Sequence, residues 1–196
     1  MSTPSTHQAT PQPEAPLQAL QRAPCNAPKR RITILHYSAL PIVGGVENTI
    51  YHHARLLAQA GYQVQVIAGR GEAFHPQVEF HLLPEMDSRY PQVLAIKGDL
   101  DRGLMTAPFE RLRDRLAELL RPYLTNTDVL IAHNLFTLHK NLPLTAALYR
   151  LLVEEPLPHP RTLAWHHDLA WQSRQYKDEM HTGYPWDLLR YPWPGV

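Results

Sequence analysis

Three short stretches of this chain carry side chains suited to handling a polar ligand: Gly44-Gly45 with Glu47, His133-Asn134, and His167-Asp168. The glycine pair ends a loop at the mouth of a helix. There, backbone N–H groups and the helix dipole meet an anionic or heavily hydroxylated ligand with no Cβ in the way. Each of the other two stretches follows a strand. In a parallel α/β sheet, ligands bind outside the carboxyl ends of the strands, near the point where strand order reverses. Three polar stretches at three such ends therefore predict one shared rim. Each also has a plain structural reading: a glycine pair closes tight loops, His or Asn after a strand caps a turn or helix, and Asp168 could simply orient His167.

Some chemistry is disfavoured by what is missing. Neither Gly-x-Gly-x-x-Gly nor Gly-x-x-x-x-Gly-Lys-Ser/Thr follows the first strand, which argues against NAD and ATP chemistry. No Gly-x-Ser-x-Gly elbow of a serine hydrolase occurs. The 12 histidines include His52-His53 and His166-His167, yet no His-Glu-x-x-His and no paired cysteines appear, so no metal site is expected.

These residues must be positioned by alternating strands and helices. Residues 31–37 are short and β-branched and read as a strand, followed by a helix from about Val46 to Ala60 that Gly61 stops. Residues 63–68 and 78–83 read as the second and third strands. The polar passage 85–101 is longer than a connection needs, which suggests a functional loop or a short extra helix. Met105, Phe109, Leu112, Leu116, Leu119 and Leu120 repeat at helical spacing until Pro122. A buried-type strand is expected at 128–133, a helix at 138–153 and a fifth strand at 161–166. Strands and helices in this rhythm predict βαβ units and a doubly wound, Rossmann-like parallel sheet.

Composition sets outer bounds. At 196 residues the chain suits one domain, and 19 basic against 18 acidic residues leave no electrostatic footprint for nucleic acid. Cys25 is the single cysteine, so no internal disulfide forms. No apolar run reaches the ~20 residues of a membrane span, and no apolar signal segment opens the chain. A cytoplasmic setting is expected, with peripheral membrane contact left open. Residues 1–29 hold six of the 19 prolines and few large apolar groups, and read as a disordered head. Residues 30–170 read as the domain. Residues 171–196 form an aromatic, proline-rich tail that reads as an incomplete end; its Trp171, Trp186 and Trp193, and Trp165 ahead of it, are expected to expose apolar surface.

The strand, the loop Pro41-Ile-Val-Gly-Gly-Val-Glu47 and the helix Asn48-Thr-Ile-Tyr-His-His-Ala-Arg-Leu-Leu-Ala-Gln-Ala-Gly61 together resemble the opening of glycosyltransferase family 4 enzymes. Asp128-Val-Leu-Ile-Ala-His-Asn134 and Thr162-Leu-Ala-Trp-His-His-Asp168 resemble two later strands of that family, in the same order. The resemblance covers residues 31–170 and implies the N-terminal half of a two-domain glycosyltransferase of the B-type fold. By that resemblance, Gly44 and Gly45 lie near the donor diphosphate or the acceptor, and Glu47 begins the helix. His167 faces the donor sugar as the catalytic candidate, His133 and Asn134 line the acceptor side, and Asp168 accompanies them.

The implied reaction is retaining and metal-independent. It needs no cofactor beyond a nucleotide-diphosphate sugar as co-substrate and uses a sugar, lipid or polysaccharide acceptor. In the family a second domain supplies most donor contacts, including cations for the diphosphate. Here Arg70 and Lys97 read as loop residues with no evident aim. The chain is therefore expected to be truncated and weakly active alone, unless a separate C-terminal donor-binding half completes it. The alternatives are a stand-alone acceptor-binding module, a non-functional remnant, or half of a sugar-nucleotide epimerase.

Overall fold

The computed structural model describes residues 29–158 and 160–196. Apart from Lys29, the expected disordered head with Cys25 lies outside the described residues. The elements are β1 (Arg31–His36), α1 (Gly45–Gln59), β2 (Gln63–Ala68), β3 (Val78–Leu82), α2 (Pro91–Leu100), α3 (Ala107–Thr125), β4 (Val129–His133), α4 (Leu142–Tyr149) and β5 (Arg161–Trp165).

All five strands are parallel, in the order β3-β2-β1-β4-β5. The chain winds outward from β1 through β2 to β3, then returns to the other side of β1 for β4 and β5. Strand order thus reverses between β1 and β4, and a crevice opens above their carboxyl ends. Alternate residues sort to the two faces. Ile32, Ile34, Val64, Val66 and Ile131 pack on Ile50, Ala54 and Ala58 of α1. Leu35, Ile67, Leu130 and Ala132 pack on the other side with Phe109, Leu116 and Leu120 of α3 and Leu144 and Leu148 of α4. Helices thus cover both faces, as parallel strands this apolar require. The expected doubly wound, Rossmann-like α/β architecture is what forms.

Several elements differ from the sequence reading. Passage 85–101 contains α2, whose buried Val93, Ile96 and Leu100 recur every three or four residues behind a proline at the first turn. Helix α3 does not end at Pro122 but continues to Thr125. The lost N–H costs one bond near the end of the helix, while Leu124 is fully buried and Thr127 Oγ1 donates to the Tyr123 carbonyl at 2.8 Å. The helix expected at 138–153 is three pieces: a 3₁₀ turn at His139–Asn141, α4, and a π-helical turn at Arg150–Glu154. Its α-helical start is set by Asn141, whose side-chain oxygen accepts from the Leu144 amide at 3.1 Å. Helix α1 stops as expected: Gly61 has φ +93°, and bonds from Gly61 N to Ala58 O and Tyr62 N to Leu57 O close the end.

The tail requires a correction. Trp186 and Trp193 are 3% and 6% exposed, not displayed. Trp193 packs on Phe136 and Tyr149, and its indole N–H donates to the Leu188 carbonyl at 2.8 Å. Trp171 stacks under the Arg190 guanidinium at 3.6 Å. Of the four tryptophans only Trp165, at the edge strand β5, is exposed. The aromatic density of the tail is used to cover α4 and the β4–α4 connection.

Candidate functional site

Above the switch point three loops are stitched together. The loop after β1 is tied to the loop after β2 by Ala39 N to Arg70 O and Glu72 N to Leu40 O, both 2.8 Å. Gly71 has φ +137°, and a Cβ there would press on the Ala39 carbonyl oxygen. Gly69 lies so close to the Met86–Asp87 backbone that no side chain fits.

The loop after β1 ends at Gly44, the N-cap of α1, which makes no side-chain cap. Ser38 Oγ donates to Glu47 Oε1 at 2.6 Å, holding the carboxylate beside the helix start. A Cβ on Gly44 would collide with that carboxylate, whereas one on Gly45 would meet nothing within 4 Å. The N–H groups of the first turn have no partner within the helix, so open space faces a bare main chain at the positive end of the dipole.

On the other side of the switch point Asn134 follows β4 with φ +59°, a conformation asparagine tolerates better than most residues. Its side-chain oxygen accepts from His167 N at 2.7 Å and Asp168 N at 3.3 Å, and its amide donates to Asp168 Oδ2 at 3.5 Å. The ends of β4 and β5 are thereby locked to each other. Replacing Asn134 by Ala should cost about 1–3 kcal/mol, by denaturant titration, through strain and two lost backbone partners. Asn134→Gly should fall between, because glycine relieves only the strain. Wild-type stability in both variants would show that this side chain does not hold the loop.

A row of histidines lies on the α1 side of the sheet ends. His36 Nδ1–H donates to the His133 carbonyl at 2.9 Å. Burial lowers the His36 pKa to about 4, against the opposing pull of that bond. His133 is wholly buried, and burial together with His36, His53 and His167 lowers its pKa to about 3. Both rings are neutral at physiological pH. His133 Nδ1 and His167 Nε2 share a proton at 3.1 Å, while His133 Nε2 is buried with no partner among the described residues. Placing the shared proton on His133 avoids a buried orphan N–H. His167, which is exposed, then carries its own proton on Nδ1.

A cleft of about 490 Å³ opens at this point, lined by His36, Gly44, Gly45, Glu47, Asn134 and Asp168. Gly44, Gly45, Glu47, Asn134 and Asp168, all singled out in the sequence, thus meet in one place. His133 does not line it, contrary to expectation; it sits beneath, holding His167. His167 is joined to the cleft through Asn134 and its neighbour Asp168 rather than by lining it. Four cations, Arg70, Arg89, Lys97 and Lys140, also line it, together with Ser38, Ser88 and the aliphatic side chains of Ile42, Val43, Val46 and Leu94. Arg70 and Lys97 therefore do have an aim, and Lys97 belongs to α2 rather than a loop. His36, Arg89 and Lys140 were not anticipated. His36 and Arg70 could have been, since they stand at the carboxyl ends of β1 and β2, where the other candidates were sought.

Among the described residues no three His, Cys, Asp or Glu side chains are grouped to hold a metal ion, and no helix is long and apolar enough to cross a membrane. A family model described as Glycosyltransferase Family 4 matches residues 43–194, which takes in the glycine pair, both later histidine-bearing strand ends and most of the packed aromatic tail. A comparison with curated proteins finds no match. With a parallel sheet of this order, a bare helix N-terminus over its switch point and a match across most of its length, the chain belongs to glycosyltransferase family 4.

Proposed function

We propose that the chain forms the acceptor-side wall of a retaining, metal-independent glycosyltransferase that uses a nucleotide-diphosphate sugar. The observation that carries this reading is the meeting of Gly44-Gly45 with Asn134 and Asp168 across one cleft at the switch point. The first-turn amides of α1 offer donors to an oxygen that gains negative charge as the nucleoside diphosphate departs. His167 would hold a hydroxyl of the transferred sugar through its Nδ1–H, at the edge of the cleft, and His133 would steady it through the bond between their rings. Asp168 and Glu47 offer acceptors to hydroxyls in the cleft. A second, donor-binding domain, in the same polypeptide or separate, would form the facing wall and supply further donor contacts. The chain by itself should turn over slowly.

The test has a binding and a catalytic arm. Sugars at millimolar concentration should shift the amide signals of Gly44, Gly45, Glu47 and Asn134 and leave those of the buried tail unchanged. No shift at these positions across a panel of sugars and nucleotide sugars would remove the reading. Where transfer is measurable, His167→Ala should lower it about a hundredfold. Undiminished turnover in that variant would take the role from His167.

A further inference from the structure

The tail carries more aromatic surface than it buries. At the end of α4 a groove of about 330 Å³ is lined by Tyr149, Tyr184, Tyr191 and Trp193, with Leu188 and two prolines. Trp193 and Tyr149 stand nearly at right angles, at 82° with centroids 5.1 Å apart, so the wall sets a ring face beside a ring edge. Tyr184 and Tyr191 remain 42% and 60% exposed. The one charged side chain of the groove, Asp187, faces Arg190 at 3.7 Å. Single exposed aromatics are ordinary, but four that share one groove mark a place where something docks.

The polar groups of the groove narrow the choice of occupant. The hydroxyls of Tyr149 and Tyr191 have no hydrogen-bond partner among the described residues. Tyr184 Oη accepts from Arg113 at 3.4 Å and keeps its own proton to donate. The Trp193 indole N–H is already given to the Leu188 carbonyl. The groove therefore offers apolar rings and three O–H donors. A proline residue is the natural complement, since it brings an apolar ring and a carbonyl but no N–H that needs a partner. A proline-rich segment in the polyproline II conformation is also extended before it binds, so it docks in aromatic grooves at little ordering cost.

This chain holds such a segment. Residues 11–17 read Pro-Gln-Pro-Glu-Ala-Pro-Leu. With three residues per turn, Pro13 and Pro16 share one edge of a polyproline II helix. Pro11 and Leu17 share the next, with Glu14 between them, and Gln12, Ala15 and Gln18 form the third. Residues 17–28 link this segment to Lys29, where the described structure begins. Extended, that linker reaches about 43 Å, which is about the diameter of a domain of this size. On one chain the segment stands at an effective concentration in the millimolar range, so contacts too weak for a free peptide suffice to fill the groove. We infer that residues 11–17 of the chain's own head dock in this groove, with Pro13 and Pro16 against Tyr191 and Trp193 and their carbonyls toward the tyrosine hydroxyls.

The test places a nitroxide on the outward edge of the segment, in the full chain with Ala15→Cys and Cys25→Ser, and reads amide signals by NMR. The label should broaden Asp187, Leu188 and Tyr191 and spare α1, on the opposite face of the sheet. Reduction of the nitroxide supplies the reference. Pro13→Ser with Pro16→Ser should restore the lost signals. Tyr191→Ser should restore those of Asp187 and Leu188, and because this side chain is exposed and makes no hydrogen bond, the melting temperature should not change. Broadening that is absent from the groove, or that survives the proline substitutions, overturns the inference. So does broadening seen only when a spin-labelled chain is mixed with an isotope-labelled one, which would seat the head of a second copy in the groove. If the head leaves the groove signals untouched and a free proline-rich peptide shifts them, the groove serves another protein and docking of the chain's own head falls.

Discussion

Gly69→Ala should destabilise the protein by about 3 kcal/mol or more, or prevent it from folding. The residue sits at the end of β2, its N–H donating to the Tyr37 carbonyl at 3.1 Å. A Cβ there would lie 2.5 Å from the Met86 carbonyl carbon and closer still to the amide nitrogen and Cα of Asp87. All three atoms are backbone, so no rotamer change relieves the overlap. Either β2 loses its register against β1 or the Pro84–Met86 turn moves outward. The second outcome would carry away Asp87, the partner of Arg70, and the start of the segment that holds Arg89. Gly45→Ala is the matched control. Its Cβ meets nothing within 4 Å and its φ is not in the left-handed region, so stability should change by less than about 1 kcal/mol, with a gain if anything. Ligand binding should suffer instead, because the new methyl group stands at the bare helix start. Equal melting temperatures for the two alanine variants would show that the tight contact at Gly69 is not a constraint of the fold.

The contrast between these glycines marks what could be read in the residues alone. The pair at 44–45 stood out because it precedes an amphipathic helix, and local pattern is enough to see that. Gly69 is, in local pattern, only the residue after a strand; its need for space arises from a turn that begins 15 residues later in the chain, and no local pattern reports it. The strands were legible because β-branched runs such as Gln63–Ala68 are bounded by glycine on both sides. Helix α2 was obscured because exposed Leu94 and the small residues Ala95 and Gly98 dilute its buried stripe. The cations show the same divide. Nothing in the spacing of positions 70, 89, 97 and 140 announces a common wall, since it is the strand order that brings them together. The tryptophans of the tail were legible as apolar but not as covered, because their partners, Phe136 and Tyr149, belong to the middle of the chain.

Acidification should unfold the protein well before its carboxylates lose their charge, and the sign follows from the histidines beneath the cleft. His36 and His133 are held neutral in the fold, with pKa values lowered to about 4 and about 3, burial being the main cause for both. In the unfolded chain each ring protonates near the ordinary value of about 6.5. Below that pH the unfolded state binds protons that the folded state refuses, so stability falls as pH drops from about 6.5 toward the lowered values and is flat above that range. Each ring contributes a slope approaching about 1.4 kcal/mol per pH unit, and the two together approach twice that. Burial lowers His53, His139 and His166 as well, which adds in the same direction. Carboxylates such as Glu179, held low by bonds from Lys97 and His139 despite an opposing burial, enter only at more acid pH, so the interval between about 6.5 and 5 isolates the imidazoles. Urea titrations across that interval should show the slope, and His133→Gln should reduce it by about one proton while lowering stability at neutral pH through the lost bond to His167. A pH-independent unfolding free energy over the same interval would mean that these rings protonate without leaving their places. His133 would then be solvated rather than sealed beneath the cleft, and it could not hold His167 in the single tautomer on which its proposed role depends.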